Sequence, residues 1–131
     1  MEAYKKLVEK LALPVIFHGY LSRTEVHHIY KRSQAILLPS ASEGFPKVIA
    51  EAMNYGCLPI VSNVSSISHY ISHLENGFLM EELDVSSLQA CLMDLLGLEG
   101  SVYKEMASTS LEFINAFSYA HYNQRLLKDI L

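Results

Sequence analysis

The stretch from Pro39 to Ser62, PSASEGFPKVIAEAMNYGCLPIVS, decides how the chain is read. Phe45, Val48, Ile49, Ala52 and Met53 recur at the spacing of one helix face. Pro46 falls in the first turn of that helix, where a missing N–H costs nothing, and Gly56 is placed to cap its end. Leu58-Pro59-Ile60-Val61 then reads as a strand with its proline near the start. Just before the stretch, Ala35-Ile36-Leu37-Leu38 is a continuous apolar run, as a strand buried on both faces of a parallel sheet requires. Strand, helix, strand within about 30 residues is the βαβ unit.

The same alternation extends in both directions. Toward the N-terminus, Tyr4, Leu7, Val8 and Leu11 mark a helix face that Pro14 ends. Val15-Ile16-Phe17 follows as a short strand closed by His18-Gly19. Ser22-Arg23-Thr24-Glu25 is a capping box, and Val26, Ile29 and Tyr30 give the helix behind it an apolar face. Toward the C-terminus a short helix is expected around Ser66 to Leu74. The turn Asn76-Gly77 and a fourth strand, Gly77 to Met80, come next. Asp84 caps a helix carrying Val85, Leu88, Leu92, Leu95 and Leu96, and Gly97 and Gly100 break it. Ser101 caps a helix with Val102, Met106, Phe113 and Phe117, and Ser118 opens a terminal helix with Tyr122, Leu126, Leu127 and Ile130. The expected fold class is therefore α/β. It is a Rossmann-like three-layer sandwich, with a short parallel sheet of about four strands flanked by helices. One domain is expected over 1–131, with an α/β core at 1–117 and a terminal helix at 118–131.

Composition sets limits on function. The chain has 131 residues, half of them apolar and 18% charged, enough to build a core. Its ten Lys and Arg never cluster and the net charge is −4, so the basic footprint of a nucleic-acid binder is absent. The longest stretch nearly free of charge, Val48 to Leu74, is broken by Glu51, Asn, Gly, Pro and Ser and cannot span a bilayer. Residues 1–10 lack the apolar run of a signal peptide. Cys57 and Cys91 lie far apart with no CxxC, and read as reduced, buried thiols of a cytoplasmic protein.

In parallel sheets ligands bind beyond the carboxyl ends of the strands. The loops that matter are then Gly19 to Leu21, Ser40 to Gly44 and Ser62 to Ser66. Glu43 and Glu51 have seven residues between them. On one ideal helix they would be offset by roughly 12 Å along the axis and about 80° around it. That is unsuited to two carboxylates flanking one scissile bond. It suits two carboxylates that reach different parts of an extended ligand. Gly44 allows close backbone approach, and the helix start exposes free N–H groups for an anion such as phosphate. A carboxylate beside phosphate repels it, so each Glu is better used on neutral hydroxyls, such as a vicinal diol. The chemistry points to a ligand with sugar at both ends and phosphate in the middle.

These residues resemble the glutamate-x7-glutamate motif of retaining glycosyltransferases of family 4 (group 1), which have the GT-B fold. Val15 to Tyr20 resembles the family's strand ending in glycine before the base-binding loop, and Ile36 to Ser40 its strand before the motif. Gly56 to Ser62 resembles the glycine-x-proline strand after it. Asn76 to Leu79 resembles the later Asn-Gly turn, and Phe117-Ser118 the start of the terminal helix. The resemblance implies a nucleotide-sugar donor, such as a UDP- or GDP-sugar, as substrate, with no cofactor and no bound metal. It places Glu43 at the reacting face of the transferred hexose, as the catalytic residue, and Glu51 on the ribose hydroxyls. Gly44, Phe45, Pro46, Lys47 and Val48 would line the sugar and diphosphate, with Tyr20 near the base. The acceptor, a glycan, lipid or small molecule, would bind in an N-terminal half to which nothing here corresponds. The first two strands of the donor half are also unmatched, so the chain is expected to be inactive alone, a fragment or one piece of a split enzyme. Attachment to the inner face of a membrane, and self-association through a sheet edge at Val15 to Phe17, are further expectations.

Other residues weigh less. His69 and His73 stand four apart, a spacing that holds a metal on a helix, but no third ligand is near in sequence. His27-His28 reads as surface and His18 as structural. Cys57 has no activating base in sequence. Asn63-Val64-Ser65 fits a glycosylation pattern that has meaning only after secretion. The competing functions are a non-catalytic nucleotide-binding or interaction module and, more distantly, a flavodoxin-like regulatory domain. The latter needs an Asp at an inner strand end, and Asp84, Asp94 and Asp129 follow none.

Overall fold

A computed structural model describes residues 1–42, 46–64, 66–115 and 128. The elements are α1 (Glu2–Lys10), α2 (Arg23–Tyr30), β1 (Ala35–Leu38), α3 (Lys47–Met53), β2 (Leu58–Ser62), β3 (Phe78–Met80), α4 (Val85–Leu96) and α5 (Gly100–Asn115). The strands form one parallel sheet in the order β1-β2-β3, with Leu37 opposite Ile60 and Ile60 opposite Phe78.

β2 is central, and all five of its residues are buried. Successive side chains on a strand point to opposite faces, and two apolar layers result. On one face Val61 joins Ile49 and Met53 of α3, Ile67, Ile71 and Ile114, with Ile36 and Leu38 of β1 beside them. On the other, Leu58 and Ile60 join Phe78, Met80, Cys91 of α4 and Met106 of α5. Helices on both faces of a parallel sheet make the three-layer arrangement expected from the alternation.

Local chemistry sets the element ends. The Ser22 hydroxyl accepts from the Glu25 N–H at 3.4 Å, and the Glu25 carboxylate accepts from the Ser22 N–H at 2.8 Å, completing the capping box of α2. Asp84 caps α4 by accepting from the Ser87 N–H at 2.7 Å. After α3, the Cys57 N–H donates to the Ala52 carbonyl at 3.2 Å and the Gly56 N–H to that of Met53 at 3.0 Å. This pair of bonds is the Schellman closure, and it requires the left-handed φ of +83° that Gly56 adopts.

Four expectations need correction. Val15-Ile16-Phe17 is not a strand: it pairs with nothing, and Ile16 is 75% exposed, so the sheet has three strands among the described residues rather than about four. A strand is defined by its partner, and no strand of the described residues lies beside this segment. The stretch 66–74 holds only a single 3-10 turn, Ile67–His69. The last described helix begins at Gly100, so Ser101 lies inside it and does not cap it. Val85 and Leu96, expected on the apolar face of α4, stand 81% and 77% exposed as the first and last residues of that helix. The apolar stripe of α1 exists, yet α1 buries none of its residues. Phe117, Ser118 and the expected terminal helix fall outside the described residues, Lys128 apart.

The turn into β3 is tied by one asparagine. The Asn76 Oδ1 accepts from the Ser72 N–H at 2.8 Å, and its Nδ2 donates to the Tyr70 carbonyl at 3.0 Å. The Asn76 carbonyl accepts from the Ser110 hydroxyl at 2.6 Å, linking α5 to the turn. Gly77 beside it packs so closely on β2 that an added Cβ would stand 2.6 Å from the Pro59 Cγ and 2.9 Å from the Pro59 carbonyl oxygen.

Gly77→Ala is expected to destabilise the fold by about 1–3 kcal/mol, since backbone must move to admit the methyl. Urea unfolding measures it, and an unchanged midpoint would refute the close approach. Acid should also loosen the caps. Hydrogen bonds from Ser22 hold the Glu25 carboxyl below its ordinary pKa, and those from Ser87 and Ser86 do the same for Asp84. A lowered folded-state pKa contributes stability above the unfolded value of about 4, lost as pH falls through the folded one. Thermal stability in Asp84→Asn is expected to fall less steeply below about pH 4 than in the parent chain. Equal slopes would refute it.

Candidate functional site

The carboxyl ends of β1 and β2 open on one side of the sheet, and α3 runs back from that side. From β1 the chain enters the loop Pro39 to Ser42, where the Ser40 N–H donates to the Leu38 carbonyl at 3.0 Å. Residues 43–45 follow, so the expected Glu43, Gly44 and Phe45 lie outside the described residues. Pro46 is the N-cap of α3, extended at ψ 127°, and half-buried. Lys47 and Val48 are exposed in the first turn, and Glu51 is half-buried one turn on. Lys47 and Glu51 stand at i and i+4, on one side of the helix.

Glu51 has a neighbourhood that the sequence spacing did not reveal. Burial raises the pKa of the Tyr30 phenol on α2, and the Glu51 carboxylate and Cys57 raise it further, which sets the carboxylate within electrostatic reach of that ring. Tyr30 stacks on Tyr55 with ring centroids 6.1 Å apart, and His27 meets Tyr55 at 5.2 Å. Tyr55 follows Glu51 by four residues, and that interval is the one signal in the sequence that would have found the cluster. The Cys57 thiol lies 3.3 Å from the carbonyls of Tyr30 and Ser33, tying the end of α2 to the start of β2. Both cysteines are free and buried, and burial pushes both thiols up, which makes them poor nucleophiles.

At the carboxyl end of β2, Ser62 is 2% exposed, and its hydroxyl has no hydrogen-bond partner among the described residues. The next residue is turned outward, its N–H donating to the Met80 carbonyl at 3.0 Å. A buried hydroxyl left without a partner costs free energy and calls for an explanation. Its position at a strand's carboxyl end places it in the region where parallel sheets receive ligands.

Tyr20 lies elsewhere. It follows Gly19, which has φ +69°, and its ring is 99% exposed with no ring contact to a described residue. His18 lines a small hollow of about 220 Å³ with Glu25, His28 and Arg32. A larger groove of about 570 Å³, lined by Arg32, Gln34, Leu95 and Tyr103, sits at the amino ends of β1 and β2, away from these loops. There the Tyr103 hydroxyl lies 2.7 Å from the Gly56 carbonyl and 2.9 Å from that of Gln34, sharing one proton between two strand starts. His73, paired with His69 in the sequence, accepts a hydrogen bond at Nδ1 from the Leu79 N–H at 3.1 Å. No helix of the described residues is long and apolar enough to cross a membrane.

Comparison with known proteins identifies the family. Residues 2–110 match the family of glycosyl transferases group 1. An uncharacterised glycosyltransferase of Haemophilus influenzae is 38% identical over 95 residues, 70% of this chain and 26% of that protein. The UDP-Gal:alpha-D-GlcNAc-diphosphoundecaprenol alpha-1,3-galactosyltransferase of Escherichia coli is 37% identical over 65 residues, half of this chain and 17% of that protein. Among solved structures, sucrose-phosphate synthase of Thermosynechococcus elongatus superposes with a TM-score of 0.81 at 22% identity, over 97% of this chain and 32% of its own. The C-terminal domain of a group 1 glycosyl transferase of Francisella tularensis superposes at 0.71 and 24% identity, over 88% of this chain and 60% of its own. The chain spans about a quarter or less of the length of these two curated relatives. It belongs to the glycosyl transferases group 1 family, and its fold is that of GT-B glycosyltransferases.

Ser62→Ala is expected to leave the stability of the free protein unchanged or to raise it by up to about 1 kcal/mol, because it removes an unpaired buried hydroxyl. Thermal unfolding of the two proteins compares them, and a clear loss of stability would show that the hydroxyl is already paired.

Proposed function

We propose that this chain is the donor-binding part of a retaining glycosyltransferase of family 4, acting on a nucleotide-diphosphate sugar. The observation that carries the proposal is the family match over residues 2–110, which includes both strand ends and α3 with Glu51. In this reading Glu51 accepts hydrogen bonds from the ribose diol, as a carboxylate beside a neutral phenol is suited to do. Glu43 faces the transferred hexose. The backbone of Gly44, Phe45, Pro46, Lys47 and Val48 lines the sugar and diphosphate, and Tyr20 lies toward the base. The Ser62 hydroxyl at the carboxyl end of β2 joins them as a donor to the ligand.

The reaction breaks the bond between the anomeric carbon and the diphosphate oxygen and forms one to an acceptor oxygen on the same face. The acceptor hydroxyl gives up its proton as the diphosphate leaves. Negative charge grows on that diphosphate and needs positive groups nearby. Lys47 is the one cation on α3. These 131 residues are therefore proposed to bind the donor and not to turn it over by themselves. No metal or cofactor enters the proposal.

The test is thermal unfolding against UDP, GDP, ADP and their sugar conjugates. A ligand at a hundred times its dissociation constant adds about 2.7 kcal/mol to stability. One base is expected to raise the melting temperature, and Glu51→Ala is expected to abolish the rise. A shift that survives Glu51→Ala would refute the ribose assignment, and no shift with any nucleotide would refute donor binding by this chain.

A further inference from the structure

We propose that His73 is a latch on the outer edge of β3, closed when its ring is neutral and released by a proton. The inference begins with where that edge finds its hydrogen-bond partners. The Met80 carbonyl accepts from the Asn63 N–H at 3.0 Å, so Met80 turns its main chain toward the end of β2. By alternation Gly77 and Leu79 turn theirs to the outer side. No strand of the described residues lies there. Three other contacts take its place. The Gly77 carbonyl accepts from the Leu74 N–H at 2.8 Å. The Leu79 N–H donates to Nδ1 of His73 at 3.1 Å, and the Leu79 carbonyl lies 3.6 Å from the Cys91 thiol of α4. An edge with bare main-chain groups invites pairing, and these contacts blunt it.

One of the three contacts depends on a proton. Nδ1 accepts the Leu79 N–H through its lone pair, so the bond exists only while that nitrogen is unprotonated. An imidazolium carries N–H at both ring nitrogens and would meet the Leu79 donor with a donor. Histidine is the side chain whose charge changes across the physiological pH range. His73 is exposed, so water reaches the ring directly. The ring stands edge-on to the buried Phe78, with centroids 6.2 Å apart, so the core sets its orientation. The groups around it are mostly acidic. Glu75 follows it by two residues, Glu81 and Glu82 follow β3, and His69 and Tyr70 precede it. Glu105 of α5 lines a hollow of about 400 Å³ with Leu74 and Glu75, and no Lys or Arg of the described residues lines it. On α4, burial and Asp94 push the Cys91 thiol up, so the contact on the other side of Leu79 stays neutral. A charged ring is tolerated in this setting.

The turn that carries the ring is strained. Leu74 has φ +65°, in the left-handed region that suits glycine, and its side chain is 52% exposed. Leucine gains little burial there in return. Such a backbone persists only where surrounding contacts over-determine it. Here those contacts are the Leu74 bond to Gly77 and the His73 bond to Leu79, one on each side of the turn. Loss of the second leaves the first alone against the strain. β3 has only three residues, and its inner edge carries the Met80 bond to Asn63. Release at Leu79 therefore reaches the chain that leaves β2 beside Ser62. The functional meaning of that reach rests on the donor-site reading above, since this chain borders the proposed crevice.

The test follows amide hydrogen exchange by NMR at about pH 7.5 and about pH 5, on either side of the imidazole range. Each rate is divided by its intrinsic rate, which removes the direct effect of pH on exchange. Protection of the Leu79 amide is expected to fall about tenfold from the higher pH to the lower, the worth of one hydrogen bond. Asn63 is expected to fall with it, while Ile60 at the centre of β2 keeps its protection. His73→Asn sets a carboxamide oxygen where Nδ1 stands and does not titrate, so Leu79 is expected to stay protected at both pH values. His73→Ala removes the acceptor, and Leu79 is expected to be unprotected at both. Leu74→Gly relieves the strain with the ring intact, and its Leu79 amide is expected to hold to a lower pH than the parent's. Unchanged protection of Leu79 in the parent would overturn the latch. So would a fall of the same size in His73→Asn, which would trace it to another group, or an equal fall at Ile60, which would mark global unfolding. Should His73→Ala not fold, the parent and His73→Asn decide alone. A fall at Leu79 that Asn63 does not share would overturn the reach to β2. Exchange needs no nucleotide. A nucleotide shift without release at Leu79 would sink only the latch, and release without a nucleotide shift would sink only the donor reading.

Discussion

Everything in this fold depends on β2 being buried on both faces. Leu58 and Ile60 fill one apolar layer and Val61 the other, so five residues connect two otherwise separate cores. Full burial of each such side chain contributes about 1.5–3 kcal/mol, the largest favourable term available to a segment this short. The strand is held at its start by the Schellman closure at Gly56, by the Cys57 thiol against α2, and by the Tyr103 hydroxyl shared between Gly56 and Gln34. These bonds fix where α3 ends. Because α3 must also seat Ile49 and Met53 on the sheet, Glu51 has little freedom in where it sits.

Stability is spread unevenly as a result. The layers around β2 and β3 hold the buried residues, while α1 and α2 hold none that are fully buried. α2 is at least tied down through its contacts with Tyr55 and Cys57. Among the described residues nothing comparable holds α1, and segments with few buried apolar contacts open at the low end of a protein's stability range.

The parts of the fold legible in the sequence are those whose causes are local. The capping box at Ser22, the Asp84 cap and the turn at Gly56 each depend on a few adjacent residues, and each forms where its spacing places it. The apolar runs of β1 and β2 were readable because strands buried on both faces need no alternation. Val15 to Phe17 has the same composition but no partner, and composition cannot report a partner. The stripe of α1 shows that the helix has an apolar face, not what that face meets. Val85 and Leu96 fit the period of α4 but are its exposed first and last residues. At the site, Lys47, Val48 and Glu51 stand on α3 as the strand-helix-strand reading puts them, while Pro46, expected in the first turn, is instead the extended N-cap just before it. The ring cluster behind Glu51 brings together residues from two helices, and pairing Tyr30 with Tyr55 needs the tertiary fold. Tyr20 shows the opposite case, a residue whose loop was legible and whose exposed ring depends on surroundings that no local pattern encodes.

The setting of Glu51 also bears on which ligands the proposed site would prefer. Glu51 acts electrostatically on the Tyr30 phenol, whose pKa burial raises first and Glu51 raises further, so that phenol is protonated at neutral pH. A neutral phenol does not cancel a carboxylate's charge, so an anion placed against Glu51 would meet repulsion. A ligand hydroxyl would meet an acceptor whose lone pairs are oriented by a helix packed on the sheet. Sites of this kind discriminate mainly by penalty, because a ligand that lacks the hydroxyl leaves a half-buried acceptor unpaired. In the proposed reading Glu51 therefore sets which end of the donor enters the crevice. The diphosphate is turned away from it, toward the start of α3 and the loop after β1.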